Sequence, residues 1–578
     1  MRLLFSTASL LLTLTAFVFG GCWSCLAQSQ DLKAIKTSKA PTFHITGTVV
    51  NSVTQSPVPR CHMTATLTNA PQGPTSDSFE TDESGRFDVP VASAGAWRLT
   101  AHARGYIVQA LDEHEGFSSA IVLTAENPTL DVLFPLTPNS SIFGTVLDEA
   151  NEPVRQARVT LQSVAPRDND NGQPTPAVRG QALTDDRGHY ELPNLSPGDY
   201  RVEVQANPWY AAAVQPSSNQ SASADPSLDV IYQPTWFPGV TDSTSAATIT
   251  MHGGESSEAD FHLLPIPGIH LHLSTLAAAA SSSSEGQPTL RFPQITPITS
   301  AGGALGSVPS TLSTAQGQVD TGGLAPGLYK VSWPDSGGHS TLIQITANSP
   351  RSMDLSSGSV GVHVSLKVDG TAVIGAEQIT FIDVNNPENV FPASGAASPG
   401  RAGRRGNLQA RGQSSEPRGQ SSELGVDLLP GRYSVHLAGN PDTYLASLSA
   451  MGAEVAGRTV TVHGDASLAL HVTSGRSVVS GFARYQGKPS VGAEVLLIPA
   501  TFGEPESITT VRRDQTNTDG SYQLPEIIPG QYILIAIDHG WQVNWNDPAT
   551  LRGYLLHGVP LDLKSGANVK QEIAAQAP

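Results

Sequence analysis

From Thr184 the chain reads TDDRGHYELPNLSPGDYRVEV. A polar pentad closes on Gly188, and Tyr190 and Leu192 then alternate with His189 and Glu191. Pro197-Gly198 interrupts, and Tyr200, Val202 and Val204 resume the alternation. A period of two is the signature of a half-buried strand, so the stretch predicts a hairpin turn, a strand, a corner and a second strand. Gly188 supplies the positive φ of the hairpin. Pro197-Gly198 has the residues of a type II turn, Pro presetting φ and Gly accepting φ > 0.

The same layout returns along the chain. TDESG ends at Gly85, STAQG at Gly317 and TNTDG at Gly520, each followed at the same offset by a second glycine, Gly95, Gly327 and Gly530. A further corner, LLPGRYSV around Gly431, has Ser421 where the first glycine should stand. The expected inward sets are Trp97, Leu99 and Ala101; Tyr329, Val331 and Trp333; Tyr433, Val435 and Leu437; and Tyr532, Leu534 and Ala536. A fixed offset holds register, because a slip of one residue turns every apolar side chain outward. The recurring Pro-Gly-x-Tyr is therefore read as a corner and not as an active-site loop.

Each repeat opens on a strand such as ITGTVV at Gly47, IFGTVL at Gly144 or VSGFARY at Gly481, with GVHVSLKV at Gly361 and PGIHLHL at Gly268 as looser versions. LDVLFPL ending at Leu136 and ADFHLLP ending at Pro265 close two of them. Short strands between turn signals at this spacing predict an all-β chain of tandem Ig-like β-sandwich domains. The expected units are 28–136, 137–265, 266–356, 357–475 and 476–578. In series, at about 35 Å each for strands of ~10 residues rising ~3.3 Å, they predict a rod of well over ~100 Å.

With 578 residues, the chain is several domains long. Only 15% of residues are charged, against about 25% in an average soluble domain, while Gly numbers 54 and Pro 43, which fits a turn-rich β protein. A net charge of −18 argues against nucleic acid as a partner. Residues 1–27 have the layout of a secretory signal peptide: Arg2, an apolar run from Leu3 to about Phe19, then small residues to Ala27. Cys22, after Phe19-Gly20-Gly21, partly resembles a bacterial lipoprotein box with Phe where Leu is usual, so both processing routes stay open. Cys61 is the one Cys beyond this segment, so no disulfide framework is expected. No later run spans a bilayer. The chain reads as exported: periplasmic, outer-membrane-associated or extracellular.

The order Gly-x-Val, Pro-Val turn, Ala-x-Val-x-Leu strand, Thr-Asp-x-x-Gly-x-Tyr-x-Leu and Pro-Gly-x-Tyr-x-Val resembles the carboxypeptidase regulatory-like domain, a transthyretin-like sandwich of seven strands. The resemblance is fullest over Gly144–Val204 and Gly481–Leu534 and extends to 42–136; the units at 266–356 and 357–475 keep the turn and its Tyr. It implies a noncatalytic accessory or binding module, related in fold to some starch-binding domains, with no fixed active-site residues and no cofactor.

His252-Gly253-Gly254-Glu255 satisfies His-x-x-Glu, with His262, His270 and His272 close in sequence, but a metal site needs a third ligand and a closed pocket. A Gly-Gly turn between strands is the simpler reading, with His270 and His272 on an exposed strand face. Asp168–Gly172, DNDNG, lacks the closing carboxylate of a calcium loop and reads as a hairpin tip. Gly116-Phe117-Ser118-Ser119-Ala120 approaches a nucleophile elbow without its final Gly. The Arg/Gly-rich stretch 398–423 lacks the apolar residues to pack and reads as a disordered loop, basic enough to suit an anionic glycan or lipid surface.

Outside the repeat, Trp209, Tyr210, Tyr232, Trp236 and Phe237 lie in an extension of the second unit. Aromatics there either cover a core edge or stack on sugar rings. The sequence thus points to an exported, noncatalytic spacer or binding scaffold, with glycans or envelope proteins as candidate partners. The alternatives are an unrecognised extracellular hydrolase and a soluble relative of the accessory domains of outer-membrane receptors.

Overall fold

The computed structural model describes residues 42–578 except 69–74, 165–166, 169–173, 176–177, 212–225, 275–293, 299–310, 316–317, 333–339, 351, 355–359, 373, 387–388, 396–423, 503–509 and 546. The signal peptide, the Arg/Gly-rich loop, Gly317 and Trp333 lie outside the described residues.

One strand plan recurs through the chain. The opening strand Phe43–Asn51 pairs antiparallel with Arg86–Val91 and parallel with the closing strand Thr129–Leu136. Ser140–Leu147 does the same with His189–Leu195 and with Ser256–Glu258 and Phe261–His262. So do Ile269–Ser274, Val362–Gly370 and Ser477–Tyr485 with their own partners. In the opposite sheet the strand after each Pro-Gly corner, such as Gly198–Gln205 or Gly530–Ile537, lies antiparallel to the second strand, Arg158–Ser163 or Glu494–Pro499. The third and fourth repeats, which keep little of the pattern in sequence, follow the plan as well. In the fourth, the strand Thr459–Ser474 pairs with Gly431–Leu437 at one end and Val362–Gly370 at the other, so one bent strand joins both sheets.

Hydrophobic clusters fill the space between the sheets. The anticipated inward residues occupy them: Trp97, Leu99 and Ala101 in the first, Tyr190, Leu192, Tyr200, Val202 and Val204 in the second, Tyr532, Leu534 and Ala536 in the last. Cys61 is a free, fully buried thiol in the first core, where burial pushes its pKa up to about 11. The last sandwich carries a second core. Alternation would leave Ile533, Ile535 and Ile537 facing water, yet Ile535 and Ile537 pack with Leu496 and Ile498 beneath Trp545 and the helix Pro548–Leu555. A strand buried on both faces reads as a continuous apolar run, which is what VLLI and ILIAI are. Asp547 caps that helix by accepting from the amides of Ala549 and Thr550 at 3.0 and 3.2 Å, and Leu551 seals the cluster.

The serial rod needs correcting. Ser119 of the first sandwich donates to the Thr516 carbonyl of the last at 2.8 Å, and Glu115 pairs with Arg513 at 2.6 Å. The start and end of the repeat array touch, which a rod does not allow.

In the fourth sandwich the imidazole of His436 is buried, with Nε2 against Ser434 Oγ at 2.9 Å and no hydrogen bond to Nδ1. Burial, aided by Arg458, lowers its pKa to about 3. The folded pKa lies below the unfolded value, so the unfolded chain takes up the proton first. Stability is complete above the unfolded pKa of about 6.5 and is lost as pH falls toward 3. The term is at most on the order of 5 kcal/mol. His436→Gln, which does not titrate, is expected to lose less stability than the wild type between pH 7 and pH 4 in denaturant unfolding of the whole chain.

Candidate functional site

The repeated residues come first, because they recur at every corner. Tyr200 donates its hydroxyl to the carbonyl four residues back, Ser196, at 2.8 Å. Tyr329 donates to Ala325 at 2.8 Å, Tyr433 to Leu429 at 2.9 Å and Tyr532 to Ile528 at 2.6 Å. In the first sandwich Trp97 Nε1 makes the equivalent bond to Ser93 at 3.1 Å. Burial raises the pKa of Tyr329, Tyr433 and Tyr532 above the usual phenol range, so all three stay protonated donors.

This corner corrects the type II turn. Gly95 and Gly198 have φ of +143° and +151°, far from the +80° or so that such a turn needs, and Gly327, Gly431 and Gly530 lie outside the left-handed region. The backbone bends in extended form and the ring closes the bend. A Cβ at Gly327 or Gly431 would sit 3.4 or 3.5 Å from the following Tyr, an ordinary contact, so the ring packs on the corner without requiring glycine; at Gly95 and Gly198 the positive φ favours it.

The threonine of the polar pentad is equally internal. Thr184 Oγ1 donates to the Val154 carbonyl and accepts from the Ala157 amide at 2.6 and 2.8 Å. Thr81 does so with Val58 and Cys61, and Thr516 with Ser490 and Ala493. Each stitches the hairpin to the Pro-Val turn of its own sandwich.

The extension of the second sandwich divides by burial. Trp209 is 80% exposed, with Tyr210 edge-on at 5.7 Å. Tyr232 and Trp236 are buried, and Phe237 packs on the core at 6.2 Å from Phe261. Tyr210 and Tyr232 both donate to the Glu149 carboxylate, the latter at 3.0 Å. Burial opposes ionisation of Glu149, but these two hydroxyls and its own backbone amide outweigh it and hold the pKa low. The extension also braces a junction: Val230–Tyr232 pairs with Pro265–Pro267, and Asp229 binds His270 Nε2 at 2.8 Å. That contact makes His270 a half-buried paired residue and not an exposed one. Trp236 reaches an open cleft of about 370 Å³ bordered by Glu203, Asp242, Gln344, Asn386 and Asn389.

His252 and Glu255 form an exposed pair at 3.0 Å around the Gly-Gly turn, and His262 binds Asn151 at 2.7 Å. Among the described residues no group of three or more His, Cys, Asp or Glu side chains is placed to hold a metal ion. Arg167–Asp168 pairs with Pro174–Thr175, the two sides of a hairpin whose tip is outside the described residues.

Sequence reasoning missed one cluster. Arg513 lies over the rings of Trp545, Trp541 and Phe117 at 4.8, 5.2 and 5.5 Å. Its guanidinium also makes two hydrogen bonds to the buried Glu494, at 2.9 and 2.7 Å. Burial pushes Glu494 up to about 7 against the pull of Arg513. GWQVNWN, aromatic and outside the repeat, was the available signal.

The plan of paired sheets, parallel closing strand and ring-closed corner defines a tandem β-sandwich protein. Residues 141–230 match the family model of the carboxypeptidase regulatory-like domain, and the chain carries such a domain there. Among solved structures it is similar to the TIE protein of Bacillus anthracis, at 11% identity over 94% of this chain and 76% of that chain, with a TM-score of 0.16. It is similar also to GBS52, the minor pilin of Streptococcus agalactiae, at 10% identity over 39% of this chain and 97% of that one, with a TM-score of 0.20. The shaft pilin SpaA of Lactobacillus rhamnosus GG gives 10%, 39%, 98% and 0.19 in the same order. No curated protein matches the chain.

Proposed function

We propose that the protein is an exported, noncatalytic scaffold of five β-sandwich units, with junctions near residues 137, 266, 357 and 476, that presents a glycan-binding aromatic face. The observation that supports the scaffold reading is the internal use of the repeat: the ring donors of all five corners and the pentad threonines of three sandwiches bond within their own sandwich. What recurs in the chain is therefore architecture. Trp209 supports the binding reading, since an indole 80% exposed beside Tyr210 offers a flat apolar face of the kind that stacks on a sugar ring. Tyr232, Trp236 and Phe237 serve that face from beneath, by holding the extension on the core.

A glycan array probed with the secreted chain tests this. Wild type is expected to retain one class of saccharide, and Trp209→Ala to lose it with the fold unchanged. No retention of any glycan by the wild type would contradict the glycan part. Retention undiminished in Trp209→Ala would move the face elsewhere.

A further inference from the structure

The last repeat departs from the first two at three positions that meet the first sandwich. The second residue of the pentad is Asp82 in the first copy and Asp185 in the second. There its Oδ1 accepts two amides of its own turn: Ser84 and Arg86, or Arg187 and His189, at 2.8–2.9 Å. The last copy has Asn517, whose Oδ1 accepts the Ala120 amide of the first sandwich at 2.9 Å, while Asp519 takes over the Ser521 amide. The third residue, Glu83 or Asp186 in the sisters, is Thr518; its hydroxyl accepts the Val122 amide at 2.9 Å and its amide donates to the Ala120 carbonyl at 3.0 Å.

The third departure lies in the Pro-Val turn. Arg60 and Gln156 hold the left-handed position there, with φ of 52° and 55°. The last copy has Gly492 with φ of 69°, and a Cβ on it would fall 2.3 Å from Asp112 Oδ2. The sisters show that this backbone tolerates a side chain, so the glycine answers to the approaching loop and not to the turn.

Around these positions Gln515 Nε2 donates to Ser119 Oγ at 2.9 Å and to Asp112 Oδ2 at 3.1 Å, and His114 stacks on Trp541 at 5.2 Å and 9°. The contact is made largely of hydrogen bonds and one ion pair, Glu115 with Arg513. The residues that fill the two sandwich cores are others, and those cores are separate clusters. Polar contacts between domains that have their own cores open more easily than the domains unfold.

We infer that the loop Asp112–Ala120 is a docking element for this chain's own last sandwich, forming with Asn517, Thr518 and Gly492 a clasp that releases without unfolding either side. The clasp gives the scaffold a closed and an open state, independently of whether a glycan is bound.

Hydrogen exchange on the full chain tests it. The amides of Ala120, Val122 and Thr518 bond across the clasp, so in the wild type they are expected to exchange faster than those of the core strands Gly95–His102 and Gly530–Ile537. Gly492→Gln installs the second copy's residue, which its own turn accepts and for which Asp112 must swing its carboxylate off Gln515 Nε2. It is expected to speed exchange of the clasp amides about tenfold or more while both core strands keep wild-type protection. Clasp amides that exchange only with the cores, or a Gly492→Gln chain with unchanged clasp exchange, would overturn the inference. So would loss of core protection in step with the clasp.

Discussion

Replacing Gly481 with alanine is expected to detach the closing strand of the last sandwich and to cost about 3 kcal/mol or more, the upper range for overpacking. A Cβ there would sit 1.7 Å from the carbonyl oxygen of Gln571, and the obstacle is backbone, which cannot rotate away as a side chain does. Ser477–Tyr485 runs parallel to Asn568–Lys570 and to Ile573–Ala574 across this point, so relief requires the two strands to separate. A Cβ on Gly144 would fall 2.1 Å from the Ala259 carbonyl oxygen and one on Gly47 2.2 Å from that of Val132, which makes the first glycine of Gly-x-Val a close-approach residue in three sandwiches. Peptide-resolved hydrogen exchange of Gly481→Ala should show Val478–Ser480 and Asn568–Lys570 losing protection together. Wild-type protection there would mean that the strands pass farther apart than described.

The second large effect is expected at Tyr532. Truncation to alanine removes a ring that is 2% exposed, and deletions of buried aromatics cost about 3 to 5 kcal/mol. It also removes the donor to Ile528, whose carbonyl is then left without its partner at the corner. Tyr532→Phe separates the two contributions: the ring stays, and only the unsatisfied carbonyl is expected to cost, by about 1 to 3 kcal/mol. Denaturation followed by exchange in Gly530–Ile537 should rank the chains wild type, Phe, Ala.

Much of this architecture is legible in the sequence because strand alternation and turn chemistry are local. His189 to Val204 announces two strands and a corner, and the inward residues Tyr190, Leu192, Tyr200, Val202 and Val204 are all buried, with Glu203 buried as well against the alternation. The type of corner was not legible: Pro-Gly suits a type II turn, and only coordinates show the Tyr hydroxyl reaching back four residues to close a more extended bend. The closing glycine contacts were hidden for another reason. Gly144 and Ala259 are 115 residues apart, and no pattern around either names the other. The second core of the last sandwich was visible as unbroken apolar runs in Glu494–Pro499 and Gly530–Ile537, but the repeat template imposed alternation on them.

The extension shows the limit most plainly. Trp209 and Trp236 look alike in sequence, each an aromatic within two residues of a proline, yet one is 80% exposed and the other 4%. What separates them is strand pairing: Thr235–Trp236 joins the sheet at Glu203–Val204, which draws the indole inward. The clasp was hidden by distance too, although its sequence mark, Asn517 and Thr518 where the first two copies carry Asp and an acidic residue, lay in the open.

The central claim is that Pro-Gly-x-Tyr is a structural corner, and the most direct measurement is native-state hydrogen exchange on the full chain carrying Tyr200→Phe, Tyr329→Phe, Tyr433→Phe or Tyr532→Phe, one at a time. Each is predicted to lose protection, about tenfold for a ~1.4 kcal/mol hydrogen bond, in the strands flanking its own corner and in no other sandwich. Wild-type exchange in all four variants, with glycan retention lost instead, would contradict the account and make the repeated tyrosines a binding surface.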